Sequence, residues 1–454
     1  MELQGKKVLV VGTGISGIGA VEALHHVGAV PILFDENEKL RMEDVRAKLR
    51  QGVQAQIVIG SLDEEIKKDV DLVVLSPGVP TDTEFAEAFR KRGVKIWGEI
   101  ELAYEIGKGV VIGITGTNGK TTTTSLVGAI MAAYCRDVDV VGNIGNPYTL
   151  TALDSTEETV TVAEISSFQL ETVDQFKPKV SAILNITPDH LNRHHNMENY
   201  AAAKEAICRN QTKEETCVLN YENSYTRAFG ERCPARVVWF SSERKLTDGF
   251  YLEGEEIFRA KSGVGERLMN IHDMKLVGVC NVENVMAAMA VTTACGVPME
   301  EILSVVRGFQ PVEHRIEFVA TKRGVDYYND SKGTNPDAAI QGIRAMDRPT
   351  VLIGGGYDKQ SEYDEWIEAF DGKVKCLVLI GQTREKIAAC ARKHGLKNIV
   401  LADTFEEAFR VCVEQAAFGD AVLLSPACAS WGMFPNYEAR GQIFKEMVNQ
   451  MEDN

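Results

Sequence analysis

Apolar residues recur along the chain in two patterns that alternate from one end to the other. Short continuous runs such as KVLVV (7–11) and LVVL (72–75) are typical of strands buried in a parallel sheet. Longer stretches such as NYAAAKEAICRN (199–210) and VENVMAAMAVTTA (282–294) have the length and composition of helices. Regular alternation of such strands and helices predicts an α/β fold built on parallel sheets.

The alternation divides the chain into three predicted domains, a number that fits a length of 454 residues. Residues 1–98 predict a Rossmann-like domain. Residues 99–311 predict a central domain with a parallel sheet like that of phosphate-loop ATPases. Within it, the turn-rich, alternating pieces between about 216 and 275, among them RVVWFS and GFYLEGEEIFRA, predict a small antiparallel patch. Residues 312–454 repeat the alternation and predict a second Rossmann-like α/β domain.

Composition and charge restrict the class of protein. With 44% hydrophobic and 25% charged residues, the chain has the make-up of a soluble globular protein. Its formal charge of -16 argues against broad electrostatic binding to nucleic acid or to an anionic membrane. The 10 cysteines form no CxxC pair, which favours reduced thiols in a cytoplasm over a disulfide framework.

No segment of the sequence predicts export or membrane insertion. A predicted strand begins almost at the first residue, which leaves no room for a signal peptide. The longest weakly polar stretch, at 285–297, is too short to span a bilayer. We therefore expect a cytoplasmic monomer that acts on small molecules and binds neither nucleic acid nor membrane.

A glycine-rich turn joins the first predicted strand to the first predicted helix. Gly12-x-Gly14-x-x-Gly17, followed by Asp35 at the end of the next strand, is the context of a dinucleotide-binding fingerprint. The same features suit a UDP group, because glycines admit a diphosphate and the helix N-terminus donates N–H groups. A tight turn without a ligand also fits. A second glycine turn, SPGVP (76–80), follows another strand, where the ligands of such sheets collect, but alone it would be a plain Pro-Gly turn.

The segment TGTNGKTTT (115–123) lies between a hydrophobic strand and a helix and has the composition of a phosphate loop. It departs from the usual pattern, because Ile114 occupies the position of the first glycine. Its backbone amides can still cradle phosphates, while Lys120 reaches the terminal ones and the Thr121 hydroxyl binds Mg²⁺. Glu164 ends the apolar run VTVAE and would supply that ion with a carboxylate at the sheet's carboxyl edge.

The polar residues that follow are ambiguous by themselves. The spacing His190-x-x-x-His194 allows a zinc pair, yet no glutamate or third ligand completes an HExxH-type site. Lys204 lies in an alanine-rich helix, where composition alone predicts a solvated lysine.

Further motifs stand in a recognisable order along nearly the whole chain. They are GNIG, EISSFQLE, TPDHLNRH, YAAAK, HRIE, NDSKGTNPDA, GGGYDK and LSPACASWGMF. Together with TGTNGKTTT they resemble the Mur ligases, ATP-dependent amide-forming enzymes of peptidoglycan precursor synthesis. The resemblance identifies TGTNGKTTT as the family's own variant of the phosphate loop. It implies a magnesium-dependent ligase of cell wall biogenesis, and hence a part in cell shape and cell division.

Within the family, SSFQLE and NDSKGTN favour the type of enzyme that adds D-glutamate to UDP-N-acetylmuramoyl-L-alanine through an acyl phosphate. The Rossmann-like first domain fits this type. The C-terminal domain lacks the arginine-containing DNPR motif of diaminopimelate-adding relatives. Trp431, after SPACAS, stands where the resemblance leads us to expect a smaller aliphatic residue, and this bears on the shape of the amino-acid pocket.

The resemblance also implies a role for each matching residue. The ATP-binding set is Gly116, Thr117, Asn118, Gly119, Lys120, Thr121, Thr122, Asn281, Asn284, Arg315 and Asp330. The UDP-substrate set is Gly14, Ile15, Ser16, Asp35, Ser76, Pro77, Gly78 and Asn143. The D-glutamate set is Lys332, Thr334, Lys359, Ser430 and Tyr437. The catalytic set is Lys120, Glu164, His190, Lys204 and His314.

ATP and two Mg²⁺ ions are the implied cofactors. Thr121 and Glu164 would hold one ion, and His190 would help to hold the second. Lys204 matches a lysine that CO₂ converts to a carbamate able to ligate metal. His314 would orient or deprotonate the incoming amine. A site divided among three domains implies closure when the substrates bind.

Three other interpretations stay open at this level. Another ligase of the superfamily, such as folylpolyglutamate synthase, would share the phosphate loop but would not need a UDP-type first domain. An NAD(P)-dependent oxidoreductase would explain the first glycine turn and leave the phosphate loop unused. A non-catalytic nucleotide-binding regulator would tolerate loss of Glu164, His190 and Lys204, all of which are present.

Overall fold

The computed structural model describes residues 2–452. They form an α/β structure with three sheets, of five, nine and six strands, so the predicted fold class is confirmed. The chain forms two compact units. The first comprises the residues up to Asn270 together with Glu283–Val306, and the second comprises Ile271–Val282 and the residues from Arg307 onward. The predicted boundaries at 98/99 and 311/312 stay a prediction.

The first sheet belongs to the first unit. It contains β1 (Lys7–Val11), β2 (Val30–Asp35), β3 (Gln56–Ile59), β4 (Leu72–Leu75) and β5 (Lys95–Gly98). Its helices are α1 (Ile15–His26), α2 (Met42–Arg46), α3 (Glu64–Lys68), α4 (Glu84–Lys91) and α5 (Glu99–Ile106). The strands are parallel, in the order β3-β2-β1-β4-β5. The strand order reverses at β1, so the turn after β1 opens at the position where such sheets bind ligands.

The central sheet completes the first unit. It contains β6 (Val110–Thr115), β7 (Val138–Gly142), β8 (Val160–Glu164), β9 (Val180–Ile183), β10 (Thr216–Asn220), β11 (Arg236–Ser241), β12 (Gly249–Glu253), β13 (Glu256–Lys261) and β14 (Val264–Asn270). The helices are α6 (Lys120–Tyr134), α7 (Tyr148–Thr151), α8 (Ser167–Leu170), α9 (Leu191–His194), α10 (Met197–Glu205) and α11 (Ser224–Gly230). The strand order is β14-β13-β12-β11-β10-β9-β6-β8-β7.

The antiparallel patch of this sheet is smaller than the sequence predicts. Strands β12, β13 and β14 pair antiparallel, which confirms the hairpin GFYLEGEEIFRA. The segment RVVWFS was wrongly assigned to the patch, because it forms β11 and pairs in parallel with β10. Helix α11 crosses over between these two strands and returns the chain in the parallel direction.

The third sheet belongs to the second unit. Helices α12 (Val279–Ala294) and α13 (Met299–Gly308) precede it in the chain. It contains β15 (Glu317–Lys322), β16 (Val325–Asn329), β17 (Thr350–Gly355), β18 (Val374–Ile380), β19 (Ile399–Leu401) and β20 (Ala421–Leu424). Its helices are α14 (Pro336–Arg344), α15 (Asp364–Glu368), α16 (Arg384–Lys393), α17 (Phe405–Gln415) and α18 (Tyr437–Asn449). The order is β15-β16-β20-β17-β18-β19, and only the β15–β16 pair of these described strands is antiparallel.

Helix starts follow from short polar residues. Asn196, Asn335 and Asn436 each accept a hydrogen bond from the third backbone N–H that follows, at 2.7–2.8 Å, and so cap α10, α14 and α18. Helix α6 begins differently. Its N-cap is Gly119, which has no side chain and therefore leaves the helix end without a side-chain cap. Among residues 2–452, no helix is both long and apolar enough to cross a membrane.

The burial pattern of the central sheet predicts the cost of one matched pair of substitutions. Val218 on β10 is fully buried, whereas Val264 on β14 is 76% exposed. Val218→Ala should lower the free energy of unfolding by about 2 kcal/mol, because it removes buried apolar surface and leaves a small cavity. Val264→Ala should change it by less than about 0.5 kcal/mol. Urea unfolding measures both, and equal effects would contradict the assigned burial.

Candidate active site

A loop of residues 116–119 connects β6 to α6, and Asn185 fixes its shape. The backbone N–H of Thr117 donates to the Asn185 carbonyl at 2.9 Å. The backbone N–H of Asn118 donates to Asn185 Oδ1 at 2.8 Å, and Asn185 Nδ2 donates back to the Asn118 carbonyl at 3.2 Å. Asn185 is not among the residues predicted from the sequence. Its signal was its place just after β9, the strand beside β6.

Gly119 is required by the shape of this loop. It has a left-handed φ of 83°, and a Cβ there would lie 2.2 Å from Asn284 Oδ1. Asn284 Oδ1 also accepts from the Thr123 hydroxyl at 3.3 Å. The close approach brings Asn284, predicted for the nucleotide, against the start of α6, where the first N–H groups of the helix favour an anion.

Two lysines meet at one carbonyl oxygen of the loop. Lys120 Nζ donates to the Gly116 carbonyl at 2.8 Å, and Lys204 Nζ donates to the same oxygen at 2.7 Å. Lys120 Nζ also donates to the Thr117 carbonyl at 2.7 Å. Lys204 is 1% exposed, so burial, with the charge of Lys120 as a second cause, lowers the pKa of Lys204 well below its usual value. The prediction from composition alone, that Lys204 is solvated, is therefore wrong.

A buried carboxylate stands beside the loop. Glu164 ends β8 and pairs with Ile114 of β6, the residue two positions before Gly116. Its Oε1 accepts from Asn143 Nδ2 at 2.8 Å, whereas its buried Oε2 has no hydrogen-bond partner among the described residues. A buried carboxylate oxygen without a donor is costly, and a cation satisfies it. Glu164 and the buried Thr121 at the start of α6 therefore fit a Mg²⁺ ion.

The two histidines of the TPDHLNRH segment have different environments. His190 has a φ of 53°, is half-exposed and packs edge-on against Phe168 with ring centroids 4.9 Å apart. His194 is buried, with Nε2 3.0 Å from the Ser167 hydroxyl and Nδ1 3.4 Å from Glu171 Oε1. Both ring nitrogens of His194 thus contact protein atoms. These contacts argue against the zinc pair that the spacing of His190 and His194 allowed.

The glycine turn after β1 is braced from within. Asp35 Oδ2 accepts from the backbone N–H of Thr13 at 3.0 Å and from its hydroxyl at 2.8 Å. A Cβ on Gly17 would lie 1.9 Å from the Gly12 carbonyl, so α1 and β1 require this glycine. Ile15, at the start of α1, is 74% exposed. The carboxylate predicted to bind the UDP group therefore also holds the turn.

The SPGVP turn borders a cleft. Ser76 and Pro77 line this cleft together with Phe168 and Gln169 of the central domain region. Ser76 Oγ is buried and has no hydrogen-bond partner among the described residues. Arg193 contacts both sides of the cleft: Nε and Nη2 donate to the two carboxylate oxygens of Glu171 at 3.3 and 2.7 Å, and Nη2 also donates to the Val79 carbonyl at 3.0 Å.

In the second unit, Asp330 and His314 are buried. Asp330 Oδ2 accepts from the Ser425 hydroxyl at 2.7 Å, and burial raises the pKa of Asp330 to about 7 against the opposing charges of Arg315 and Arg440. His314 has a φ of 65°, and its burial lowers its pKa. Both groups therefore shift toward their neutral forms.

The tautomer of His314 follows from its neighbour. Asn329 Oδ1 accepts from the backbone N–H of Ser331 at 3.1 Å, which fixes the orientation of the amide. Asn329 Nδ2 then lies 2.8 Å from His314 Nδ1, so that Nδ1 must accept the hydrogen bond. In the neutral ring the proton is therefore on Nε2.

Four of the residues predicted for D-glutamate lie on loops of the second unit, and the fifth, Tyr437, begins α18. Lys332 Nζ stands 5.2 Å from the ring centre of Tyr437, and Lys359 Nζ stands 5.5 Å from that of Trp431. Trp431, the residue that departs from the expected pattern, is thus a contact of Lys359. Ser430 is 4% exposed, and the Thr334 side chain is half-buried.

A fully buried arginine braces this region and is not among the predicted residues. Arg440 Nε donates to the Ser331 hydroxyl at 2.9 Å, Nη2 to the Ser331 carbonyl at 2.7 Å and Nη1 to the Cys428 carbonyl at 3.3 Å. Burial lowers the pKa of Arg440 to about 10. It joins the loop of NDSKGTN to that of SPACAS, a contact that spacing on one helix does not reveal.

The structure thus distributes the predicted residues among a few places. In the first unit, the phosphate loop (116–122) lies with Asn284, Lys204, Glu164 and Asn143, whereas the residues of the glycine turn and Asp35 belong to the first sheet. The first unit also contains His190 and the turn of residues 76–78. The second unit contains Asn281, whose Nδ2 donates to the Val277 carbonyl at 2.8 Å, together with His314, Arg315, Asp330, Lys332, Thr334, Lys359, Ser430 and Tyr437.

Three known protein domains match most of the chain. Residues 6–98 match the Mur ligase MurD-like N-terminal domain, residues 114–292 the Mur ligase middle domain, and residues 314–428 the Mur ligase glutamate ligase domain.

Several curated proteins are similar over their whole length, and each is named UDP-N-acetylmuramoylalanine--D-glutamate ligase. The chain is 58% identical to that of Lachnospira eligens, covering 99% of this chain and 100% of the relative. It is 55% identical to that of Lachnoclostridium phytofermentans and 46% identical to that of Clostridioides difficile, with 100% of each chain covered in both cases.

Solved structures share the fold at low identity. UDP-N-acetylmuramate-alanine ligase MurC from Thermotoga maritima superposes with a TM-score of 0.59 at 20% identity, covering 98% of this chain and 100% of that one. MurF from Acinetobacter baumannii gives a TM-score of 0.62 at 15% identity, covering 98% and 93%.

The raised pKa of Asp330 predicts a pH-dependent stability. A pKa of about 7 in the folded state, against about 3.9 unfolded, means that the folded state binds this proton more tightly. The stability contributed by protonated Asp330 is therefore complete below about pH 4 and is lost as the pH rises through about 7. Asparagine does not titrate, so Asp330→Asn does not lose stability in this way. Between about pH 4 and pH 7 the free energy of unfolding of the variant should therefore rise by a few kcal/mol relative to that of the wild type.

Urea unfolding between pH 5 and about 8 tests this prediction. Subtracting the free energy of unfolding of the variant from that of the wild type isolates the contribution of Asp330. Asp371→Asn, at an exposed aspartate of the same unit, is the control and should leave the pH profile unchanged. A difference between wild type and Asp330→Asn that stays constant with pH would contradict the raised pKa.

Proposed function

The chain belongs to the Mur ligase family, and from this we propose that it catalyses the ATP-dependent addition of D-glutamate to UDP-N-acetylmuramoyl-L-alanine in peptidoglycan precursor synthesis. The observation that carries the proposal is the full-length match, at 58% identity, to a relative named for this activity. The phosphate loop, the buried Glu164 and the two lysines at Gly116 support it, because amide formation from a carboxylate needs ATP and a site for its phosphates.

The reaction has two chemical steps. First, a carboxylate oxygen of the alanine attacks the γ-phosphorus of ATP, which forms an acyl phosphate and releases ADP. The amine of D-glutamate then attacks the acyl carbon, and phosphate leaves from the tetrahedral intermediate as the amide forms and the amine loses a proton. We propose that Lys120 and the N–H groups at the start of α6 hold the transferred phosphate, since both place positive charge at the loop.

Magnesium ions, when bound, screen the repulsion among phosphate and carboxylate oxygens and stabilise the charge that develops in the transition state. We propose Thr121 and Glu164 for one ion and His190 with a modified Lys204 for a second. The role of Glu164 is supported by its Oε2, which no donor of residues 2–452 satisfies, and Asn143 holds the other oxygen so that Oε2 keeps its direction.

Lys204 is proposed to carry a carbamate. The lowered pKa favours its neutral amine, which can add CO₂ to give a carbamate and release one proton. This change replaces a neutral amine with a negative charge near Lys120, which a lysine cation attracts. Carbamate formation also turns a poor metal neighbour into an oxygen ligand.

The remaining predicted residues receive the following proposed roles. The glycine turn and Asp35, with the turn of residues 76–78, bind the UDP group. The exposed Ile15 supports this role, as does Ser76 Oγ, which has no hydrogen-bond partner within residues 2–452. Asn143 lies near the acceptor carboxylate. Asn281, Asn284, Arg315 and Asp330 bind the nucleoside side of ATP.

Lys332 and Lys359 suit the two carboxylates of D-glutamate, since each lysine is held near an aromatic ring. Thr334, Ser430 and Tyr437 complete this proposed set. His314 carries its neutral-ring proton on Nε2, which favours orientation of the substrate by a donated hydrogen bond over removal of its proton.

The proposal extends to organisation and location. We place domain boundaries at 98/99 and 311/312, which the matched family segments 6–98 and 314–428 support. We propose a cytoplasmic monomer whose partners are its small-molecule substrates. A folylpolyglutamate synthase is disfavoured, because residues 6–98 match a MurD-like domain. An oxidoreductase or a regulator is disfavoured by the named relatives.

A carbamate on Lys204 predicts a spectroscopic signal that does not depend on turnover. Protein equilibrated with ¹³C-labelled bicarbonate should give one carbamate resonance, which Lys204→Ala should abolish. Lys91→Ala, at an exposed lysine of the same unit, should retain it. A resonance that persists in folded Lys204→Ala protein would assign the modification to another residue.

Substrate selection tests the function itself. With ATP, Mg²⁺ and UDP-N-acetylmuramoyl-L-alanine, D-glutamate should give product, whereas D-glutamine and L-lysine should be poor donors. A buried charge left without its partner costs several kcal/mol, about three orders of magnitude in rate. L-Glutamate should also fail, because inversion at the α-carbon moves the amine away from the acyl phosphate while both carboxylates stay bound.

Product is measured by chromatography of the UDP-containing species, with each amino acid offered separately. Preference for D-glutamine, L-lysine or L-glutamate would overturn the assignment within the family and leave the ligase chemistry intact. Absence of ATP-dependent product with every amino acid would overturn the proposed function.

A further inference from the structure

Two helices of the second unit present metal-ligating side chains that the proposed reaction does not use. Asp364 begins α15, and Cys390 lies on α16 four residues before His394. One carboxylate oxygen, the thiol sulfur and one imidazole nitrogen all lie within 4.8 Å of one another. Residues four apart on a helix share a face, which explains how Cys390 and His394 point to the same place.

The contacts within this cluster resemble those of a metal site with an outer partner. His394 Nε2 lies 2.9 Å from Asp364 Oδ1. The other ring nitrogen, Nδ1, lies 3.8 Å from Oε1 of Glu368, which is one turn beyond Asp364 on α15. A carboxylate hydrogen-bonded to the second nitrogen usually orients a metal-bound histidine, and the exposed Glu368 side chain must rotate so that its oxygen moves by about 1 Å to make that bond.

We propose that Asp364, Cys390 and His394 Nε2 bind a divalent transition-metal ion of the zinc type, with Glu368 as the outer carboxylate on Nδ1. One thiolate, one imidazole and one carboxylate match the ligand preference of zinc. Bond lengths of 2.0–2.3 Å put neighbouring ligand atoms of a tetrahedral zinc ion about 3.3–3.8 Å apart, so small side-chain rotations suffice.

Charge supports the same ion class. A thiolate and a carboxylate neutralise the charge of a divalent cation, and a metal on His394 Nε2 replaces the proton that this nitrogen shares with Asp364. The side chains are reachable, since Asp364 is 41% and His394 21% exposed. One group competes, because Lys393 Nζ lies 2.9 Å from Asp364 Oδ1 and holds the same carboxylate.

A cluster of three cysteines in the first unit provides a comparison. Cys208, Cys217 and Cys233 also lie within 4.8 Å of one another. They are buried in a hydrophobic core cluster, whereas Asp364 and His394 are partly exposed and can be reached by an ion from solvent. The site on α15 and α16 therefore fits an ion better than the core cluster does.

Cobalt(II) is the probe, because a thiolate ligand gives an intense near-ultraviolet charge-transfer band that oxygen and nitrogen ligands do not give. Titration of full-length, tag-free, metal-stripped protein should produce this band, and zinc should remove it by displacing the cobalt. Cys390→Ala should abolish the band. Cys217→Ala, the matched loss of one thiol from the core cluster, should leave it intact.

Two further variants test the geometry. Glu368→Gln should weaken binding about 10–100-fold, the range found when an outer partner is removed. Lys393→Gln removes the competing ammonium and should tighten binding. Circular dichroism shows whether Cys390→Ala is folded. If it is not folded, His394→Ala replaces it. No band in the wild type, a band that survives in folded Cys390→Ala and His394→Ala, or loss of the band in folded Cys217→Ala would each overturn the proposal.

Discussion

The carbonyl oxygen of Gly116 accepts hydrogen bonds from Lys120 and Lys204, and this shared acceptor controls the charge of the phosphate-loop region. Two like charges about 4 Å apart repel by about 4 kcal/mol at an effective dielectric constant of 20. Burial, with the charge of Lys120 as a second cause, lowers the pKa of Lys204. The region therefore favours a neutral amine on Lys204 that is available for chemistry.

The same region contains a buried acid that is incompletely satisfied. Glu164 has one oxygen on Asn143 and one without a partner among the described residues. A core selected only for stability would pair or exclude such a group. Natural proteins tolerate such conflicts mainly at functional sites, and the strand order places this one beside the phosphate loop. Asn185 meanwhile makes the loop rigid, which fixes the groups before any ligand arrives.

The second unit also holds its loops in place before a ligand binds, but through different side chains. Arg440 is fully buried and donates to Ser331 and Cys428, so one side chain joins two loops that carry predicted amino-acid-binding residues. Asn329 holds His314 in one tautomer. The contacts of Arg440 fix the positions of these loops, and the contact of Asn329 fixes the position of a proton on a residue with a predicted role.

The sequence by itself determined the α/β class, the phosphate loop, the family and the hairpin over 249–261, because these depend on local hydrophobic period, glycine positions and ordered motifs. It misplaced β11 in the antiparallel patch, because strand direction depends on the crossover that precedes the strand. Composition alone predicted a solvated Lys204, whereas packing buries it against Gly116.

Only the tertiary structure decided which neighbours each polar group has. Arg440 acts through hydrogen bonds to loops that are remote in sequence, so no local pattern indicated it, and only its place after β9 indicated Asn185. The pKa shifts of Asp330 and Lys204 arise from desolvation, a property of the whole surroundings of a side chain. Sequence therefore specified which chemical groups are present, and the fold specified their protonation and direction, because both depend on three-dimensional burial.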